Sequence, residues 1–201
     1  MRRIVTAVSF ALLALPAVAG ESGAPYERTQ FDRGLSTGGV NAVAQPMVGG
    51  AAMYPSKDII DNAMNSRDHT TLVAAVKAAD LVATLKGPGP FTVFAPTNAA
   101  FAELPAGTVD TLLKPENKKM LTEVLTYHVV PGRLDSAALM KQMRNGEAKL
   151  KTVAGGTLTA TAMGNTITLT DEKGGMAKVT TADVYQSNGV IHVVDEVLMQ
   201  K

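Results

Sequence analysis

The sequence predicts an α+β fold, on two observations. Apolar residues recur at helical spacing through the first half of the folded region, whereas the last third is built from strand-forming residues broken by tight turns. Helices gathered ahead of antiparallel strands exclude a doubly wound sheet, which needs the two to alternate. The chain has 201 residues, 46% of them apolar, with no Cys, no Trp and a formal charge of +1. Disulfides, thiolate catalysis and Cys-based metal sites are therefore excluded. A near-neutral charge without a basic face also argues against a nucleic-acid partner.

The first residues read as an export signal rather than as part of the fold. Met1-Arg2-Arg3 is a basic head, Ile4 to Leu15 an apolar run, and Ala17-Val18-Ala19 before Gly20 a small-x-small cleavage site. A spanning helix needs about 20 apolar residues, and this run is shorter and ends at Pro16. Residues 1–19 are thus expected to be removed, leaving 17 basic against 18 acidic residues and a net charge of −1. The sequence predicts a secreted or periplasmic protein exported by the Sec route, with no membrane anchor. Residues 20–54 are rich in Gly, Ala, Ser and Pro and keep no period, so they read as a flexible leader ahead of a domain spanning 55–201.

Within the domain, Ser56 and Asp58 open a helix whose stripe is Ile59, Ile60, Ala63 and Met64. Thr70 or Thr71 caps a second, with Leu72, Ala75, Val76 and Ala79 on one face. The run Lys86 to Pro90 (KGPGP) stops it and delivers the chain into a buried strand, FTVFA. Thr97 or Asn98 caps a short helix that turns Phe101 and Leu104 inward, and Thr108 caps VDTLL. Pro115 suits the first position of a helix placing Met120, Leu121, Val124 and Leu125 on one face. A strand is expected over Thr126–Val130, stopped by Pro131-Gly132, and Asp135 or Ser136 caps a last helix to about Met143.

In TLTATAM-GN-TITLT, a two-residue turn at Gly164-Asn165 pairs Thr161 with Thr168 and Thr159 with Thr170 on one face. On the other face the same register pairs Ala162 with Ile167 and Ala160 with Leu169; a one-residue slip destroys both matches. Asn188-Gly189 marks a second tight turn between ADVYQ and VIHVVDEVLM. A domain of about 145 residues buries roughly two-thirds of its surface, enough to stand without disulfides.

Three segments together resemble the signatures of the fasciclin domain family: FTVFAPTNAAF at Phe91–Phe101, Tyr127-His128, and NGVIHVVDEVL at Asn188–Leu198. The resemblance runs from about Ser56 to Met199. It implies a helical layer packed on a β-wedge of two antiparallel sheets, and a non-enzymatic adhesion or recognition module binding a cell-surface or matrix partner, protein or glycan. It also implies site positions. Asp183-Val184 stands where animal members carry an Asp and an aliphatic residue before the last segment, and Tyr127-His128 matches their Tyr-His pair. The flanks differ, with Thr181-Ala182 ahead of Asp183 and Tyr185 after Val184.

Each of these residues also has a structural reading. Tyr127 and His128 fall in an expected strand, where neighbouring side chains face opposite ways, so one of them is expected in the core. Thr97 and Asn98 read as a cap and a turn-fixing side chain. Asp183 interrupts the strand-like VTTADVYQ, against its β-propensity, which marks either a site or a bulge. His69, His128 and His192 lack ligand spacing, and no phosphate loop or nucleophile elbow is present. Asp195-Glu196 reads as a strand end in solvent. No metal, cofactor or catalytic residue is expected. A second function class is carriage of an apolar lipid or carotenoid in a Met-rich core or cleft; Met120, Met140, Met143 and Met163 are expected first as core filling.

Overall fold

In the computed structural model, residues 45–143, 146–164 and 166–200 are described; the expected signal and the leader up to residue 44 lie outside them. The fold begins earlier than Ser56. Strands β1 (Met47–Val48) and β2 (Ala51–Ala52) form a small hairpin that buries Val48 and Met53 to 7% and 2% exposure. Residues 45–54 are therefore part of the domain and not leader. Two-residue strands are too short to show a period, which is why the sequence hides them.

The helices follow the predicted order except that the second stops at Ala78, ahead of Asp80 at φ 63°, and a short unpredicted helix precedes the KGPGP run; the caps differ too. Asp58, not Ser56, caps α1 (Ile59–Ala63), its side chain accepting from the Asp61 amide. Helix α2 (Thr70–Ala78) follows a 3-10 turn and has no local side-chain cap. Its cap comes from Asn98, which accepts from the Thr71 amide at 3.0 Å and the Thr70 hydroxyl at 3.2 Å, and donates to the Arg67 carbonyl. After α3 (Val82–Leu85), β3 (Phe91–Pro96) leads to α4 (Asn98–Ala102), capped by Thr97 as expected. Gly107, not Thr108, precedes α5 (Thr108–Leu112). Pro115 starts a 3-10 turn that runs into α6 (Lys118–Tyr127), and Asp135 caps α7 (Ser136–Gln142). Leu121 and Leu125 are buried on α6, but Met120 is 56% exposed, at the edge of the apolar stripe.

One expected strand is absent over most of its length. Thr126 and Tyr127 are the last turn of α6, His128 ends it, and the strand is only β4, Val129–Pro131. Thr126 satisfies its hydroxyl within the helix, on the Thr122 carbonyl at 2.7 Å, and the burial of Leu121, Leu125 and Tyr127 along α6 outweighs its β-propensity.

Seven strands pair in the order β4-β3-β9-β8-β7-β6-β5, where β5 is Glu147–Lys151, β6 Thr157–Met163, β7 Thr166–Thr170, β8 Met176–Gln186 and β9 Gly189–Val194. The β6–β7 register is the predicted one, pair for pair. Strand β8 pairs with β7 through Met176–Lys178 and with β9 through Val179–Gln186, and two register shifts, between Val179 and Thr181 and between Thr181 and Val184, bend it within its β9-paired stretch. That bend divides the strands into the two leaves of a wedge. The pair β3–β9 is parallel, the exception among antiparallel neighbours. Gly189 permits it, since a Cβ there would stand 2.1 Å from the Phe91 carbonyl oxygen.

Two cores result. The first lies between the helices and β3–β9, filled by residues such as Ile59, Ile60, Leu72, Val76, Leu125 and Ile191. The second lies inside the wedge, where Leu158, Ala160, Ile167, Leu169 and Ala177 meet Phe94, Tyr127, Leu139 and Leu198.

Candidate functional site

Asp183 sits inside the second bulge of β8 with φ 60°, the left-handed conformation that Asp tolerates better than most side chains. Its carboxylate accepts from the Ser136 amide at 2.6 Å and from the Ser136 hydroxyl, so β8 grips the first turn of α7. Its own amide points at Nδ1 of His192, 3.4 Å away. His192 donates from Nε2 to the Leu134 carbonyl at 2.7 Å and stacks on Phe94, with ring centroids 5.6 Å apart. Burial pushes the His192 imidazole below its usual range, and the Leu134 carbonyl at Nε2 and the Asp183 amide at Nδ1 set the tautomer.

Around Asp183 the surface is polar and half-open. Tyr185 is 40% exposed and its hydroxyl reaches Asp135 at 3.4 Å, while Arg133 donates to the Gln186 carbonyl at 2.9 Å. Desolvation, and then the Asp183 and Asp135 carboxylates, raise the Tyr185 phenol above its normal value, so it remains a donor. Arg133 carries no sequence signal for this surface, and Asp135 and Ser136 signal only a helix cap, because their partners stand about fifty positions away and meet them only through the bulge. Val184 is 1% exposed and packs into the first core, so it does not belong to a contact surface.

Tyr127 and His128 lie elsewhere and are both buried, at 0% and 3%, correcting the expectation that one would face out. A helical last turn, unlike a strand, does not alternate faces. The Tyr127 hydroxyl donates to the Thr157 carbonyl at 2.9 Å and accepts from the Glu172 amide at 3.2 Å. Gly156 makes room for the ring, for a Cβ there would be 2.6 Å from Cε2. His128 donates from Nδ1 to the Val124 carbonyl at 2.8 Å and accepts at Nε2 from the Leu198 amide at 3.0 Å. Complete burial lowers its pKa to about 4. The pair is a clasp joining α6, the 152–157 loop, the 171–173 turn and residue 198.

Directly beside that clasp is a groove of about 570 Å3 lined by Thr108, Leu112, Met120, Val124, Ala154 and Met199 together with the polar Glu123, Lys173 and Gln200. The methionines are mostly outside: Met120, Met140 and Met163 are 56%, 38% and 79% exposed, and only Met143 of the four fills the core. The apolar cavity under α1–α3 holds about 30 Å3, too little for a lipid chain. His69, bonded to Ser66, is a third buried imidazole, pushed down by burial. Among the described residues no cluster of three or more His, Asp or Glu could hold a metal ion, and no helix is long and apolar enough to cross a membrane.

A bulged wedge clasped by a buried Tyr-His pair defines a class, and comparison with known proteins agrees. Residues 67–200 match the fasciclin domain, and the chain belongs to that family. The protein sll1483 of Synechocystis sp. is 49% identical over 153 residues, covering 76% of this chain and 79% of that protein. The immunogenic protein MPB70 of Mycobacterium bovis is 39% identical, over 68% and 66% of the two chains. The transforming growth factor-beta-induced protein ig-h3 of Sus scrofa is 35% identical over 72% of this chain but 19% of its own length. A solved FAS1 domain pair from the insect cell adhesion molecule Fasciclin I shares the fold, with TM-score 0.65 and 15% identity over 72% of this chain and 51% of that one.

Proposed function

We propose that this is an exported, non-enzymatic recognition module that attaches to a cell-surface or matrix partner through the Arg133–Asp135–Asp183–Tyr185 surface. The single observation that carries the reading is the αL bulge at Asp183, which holds two carboxylates, a guanidinium and a phenol half-exposed on rigid strand and helix ends. Such a surface offers directional hydrogen bonds and charge, and its hydroxyl–carboxylate contact, Ser136 to Asp183, ties the first turn of α7 to β8. Family membership and the cell-adhesion description of the Fasciclin I relative support it. The test is surface attachment of a deletion strain complemented with wild type, Asp183→Ala, the double variant Arg133→Ala/Tyr185→Ser, or an exposed control substitution. Attachment lost by the deletion and the double variant but kept by the control is the expected result. A deletion strain that attaches normally removes adhesion, and a double variant that behaves like the control removes the site.

A second reading, carriage of an apolar small molecule, is favoured by the groove, whose volume falls in the range of ligand pockets and whose lining includes Met120 and Met199. Its test is native mass spectrometry of protein purified from its own source. A bound lipid or chromophore lost on Met120→Lys is expected, and an empty spectrum ends the reading.

A further inference from the structure

The solvent face of the wedge's outer leaf is a regular array of threonine hydroxyls. On β6 and β7 the pattern Thr-x-Thr-x-Thr puts Thr157, Thr159 and Thr161 beside Thr166, Thr168 and Thr170, while Leu158, Ala160, Ile167 and Leu169 fill the core behind. The ladder arranges them in rows across four strands: Glu147–Thr161–Thr168–Lys178, and Lys149–Thr159–Thr170–Met176, with Lys151 opposite Thr157. Hydroxyls therefore repeat at about 4.8 Å across strands and about 6.7 Å along them. Thr161 donates to the Thr168 carbonyl at 3.4 Å; the other five hydroxyls make no hydrogen bond among the described residues.

Cations border this array on both sides. Lys149 and Lys151 stand on β5 and Lys178 on β8, all pointing out of the same face. Lys149 is 4.0 Å from Glu147, Lys151 reaches the Gly155 carbonyl at 3.5 Å, and Glu172 accepts from the Thr157 amide at the end of the leaf. Three ammonium groups stand against Glu147 in the strands, with Glu172 at the Thr157 end and Asp195 against the Lys178 amide, so the positive charge of this face is local to its two lysine borders. No aromatic side chain stands in these rows for stacking on bases, which disfavours single-stranded nucleic acid. Threonine at this density satisfies β-propensity, and lysine guards an edge strand, but neither requirement sets unpartnered hydroxyls in rows between two cation borders.

We propose that this face binds an extended acidic polysaccharide, a chain of uronate sugars lying across the strands. Its hydroxyls would bond to the threonine rows and its carboxylates to Lys149, Lys151 and Lys178. The surface is distinct from the one around Asp183, so either can fail alone.

The probe is oligogalacturonate, titrated calorimetrically into the purified protein at low and at physiological salt, with neutral dextran and a single-stranded oligothymidylate as comparisons. Binding of oligogalacturonate that weakens with salt, without dextran binding, is expected. Thr159→Val/Thr168→Val/Thr170→Val should lower its affinity at least tenfold at unchanged melting temperature. The corresponding triple Ser variant, which keeps the hydroxyls, should stay within threefold of wild type. Lys149→Gln/Lys151→Gln/Lys178→Gln should remove the salt dependence, and Arg133→Ala/Tyr185→Ser should bind as wild type does. The inference is overturned if oligogalacturonate does not bind at low salt, if the triple Val variant keeps its affinity within twofold, or if the oligothymidylate binds more tightly.

Discussion

The two positions that resemblance pairs as one site behave as opposites. Tyr127 and His128 are sealed inside the second core and beneath α6, each with a donor and an acceptor satisfied; Asp183 is half-open and its neighbours reach solvent. The difference teaches that one residue pattern can record two requirements. The Tyr-His pair fixes where three loops lie, while the bulged Asp fixes what the surface presents. Substitution should separate them: losses at the clasp should be read in stability, and losses at the bulge in attachment.

The largest expected effect is at Tyr127. Tyr127→Ala removes a fully buried ring and should cost about 4 kcal/mol, measured by urea unfolding. A loss under 1 kcal/mol would mean that the clasp closes without its aromatic ring. His128→Ala should cost about 1–3 kcal/mol, because the Val124 carbonyl and Leu198 amide lose their partner. An unchanged melting temperature would place His128 outside the clasp and make it a functional residue after all.

Acid supplies a third test on the same residue. The His128 pKa falls from 6.5 in the unfolded chain to about 4 in the fold, so between those values the unfolded state binds more protons. Stability from this group is complete above pH 6.5 and falls through the window down to pH 4, by about 3 kcal/mol in total. His69 and His192 shift in the same direction and add to the slope. Unfolding free energies measured from pH 7 to 4 should drop less steeply in His128→Gln; equal slopes would remove His128 as the acid-sensitive group.

Effects at the bulge should be smaller in energy. Asp183→Ala gives up the grip on Ser136 and puts Ala at positive φ, for about 1–2 kcal/mol, and Asp183→Asn should recover part of that because Asn tolerates the conformation. Tyr185→Phe should change stability by less than about 0.5 kcal/mol while weakening attachment. If Tyr185→Phe unfolds the domain and leaves attachment intact, the contrast between the two regions is reversed.

How much of this was legible follows from how local each signal is. The β6–β7 register could be read because two adjacent runs of alternating Thr and apolar residues fit together in one way only. Thr97 and Asp135 could be read as caps because a cap bonds three residues ahead. The Asn98 cap on α2 could not, since it joins residues 27 positions apart. The Tyr127-His128 strand failed for a related reason. Thr-Tyr-His-Val-Val is strand-forming by composition, but the packing of Leu121, Leu125 and Tyr127 carries the helix one turn further. At the candidate site, the residue types Asp183 and Tyr185 were visible, but their neighbours Arg133 and Ser136 depend on a bulge that no period announces.

The parallel ladder between β3 and β9 has a consequence for the order in which the chain assembles. Phe91 pairs with Gly189, so the strand that opens the first core waits for one 98 positions later. Closing so long a loop costs entropy before any contact repays it, which makes this pairing a late and slow event. A nascent chain emerging end first therefore holds its helices without a completed sheet until β9 has appeared. Over that interval the domain stays unlocked, its two ends held apart in time as well as in sequence.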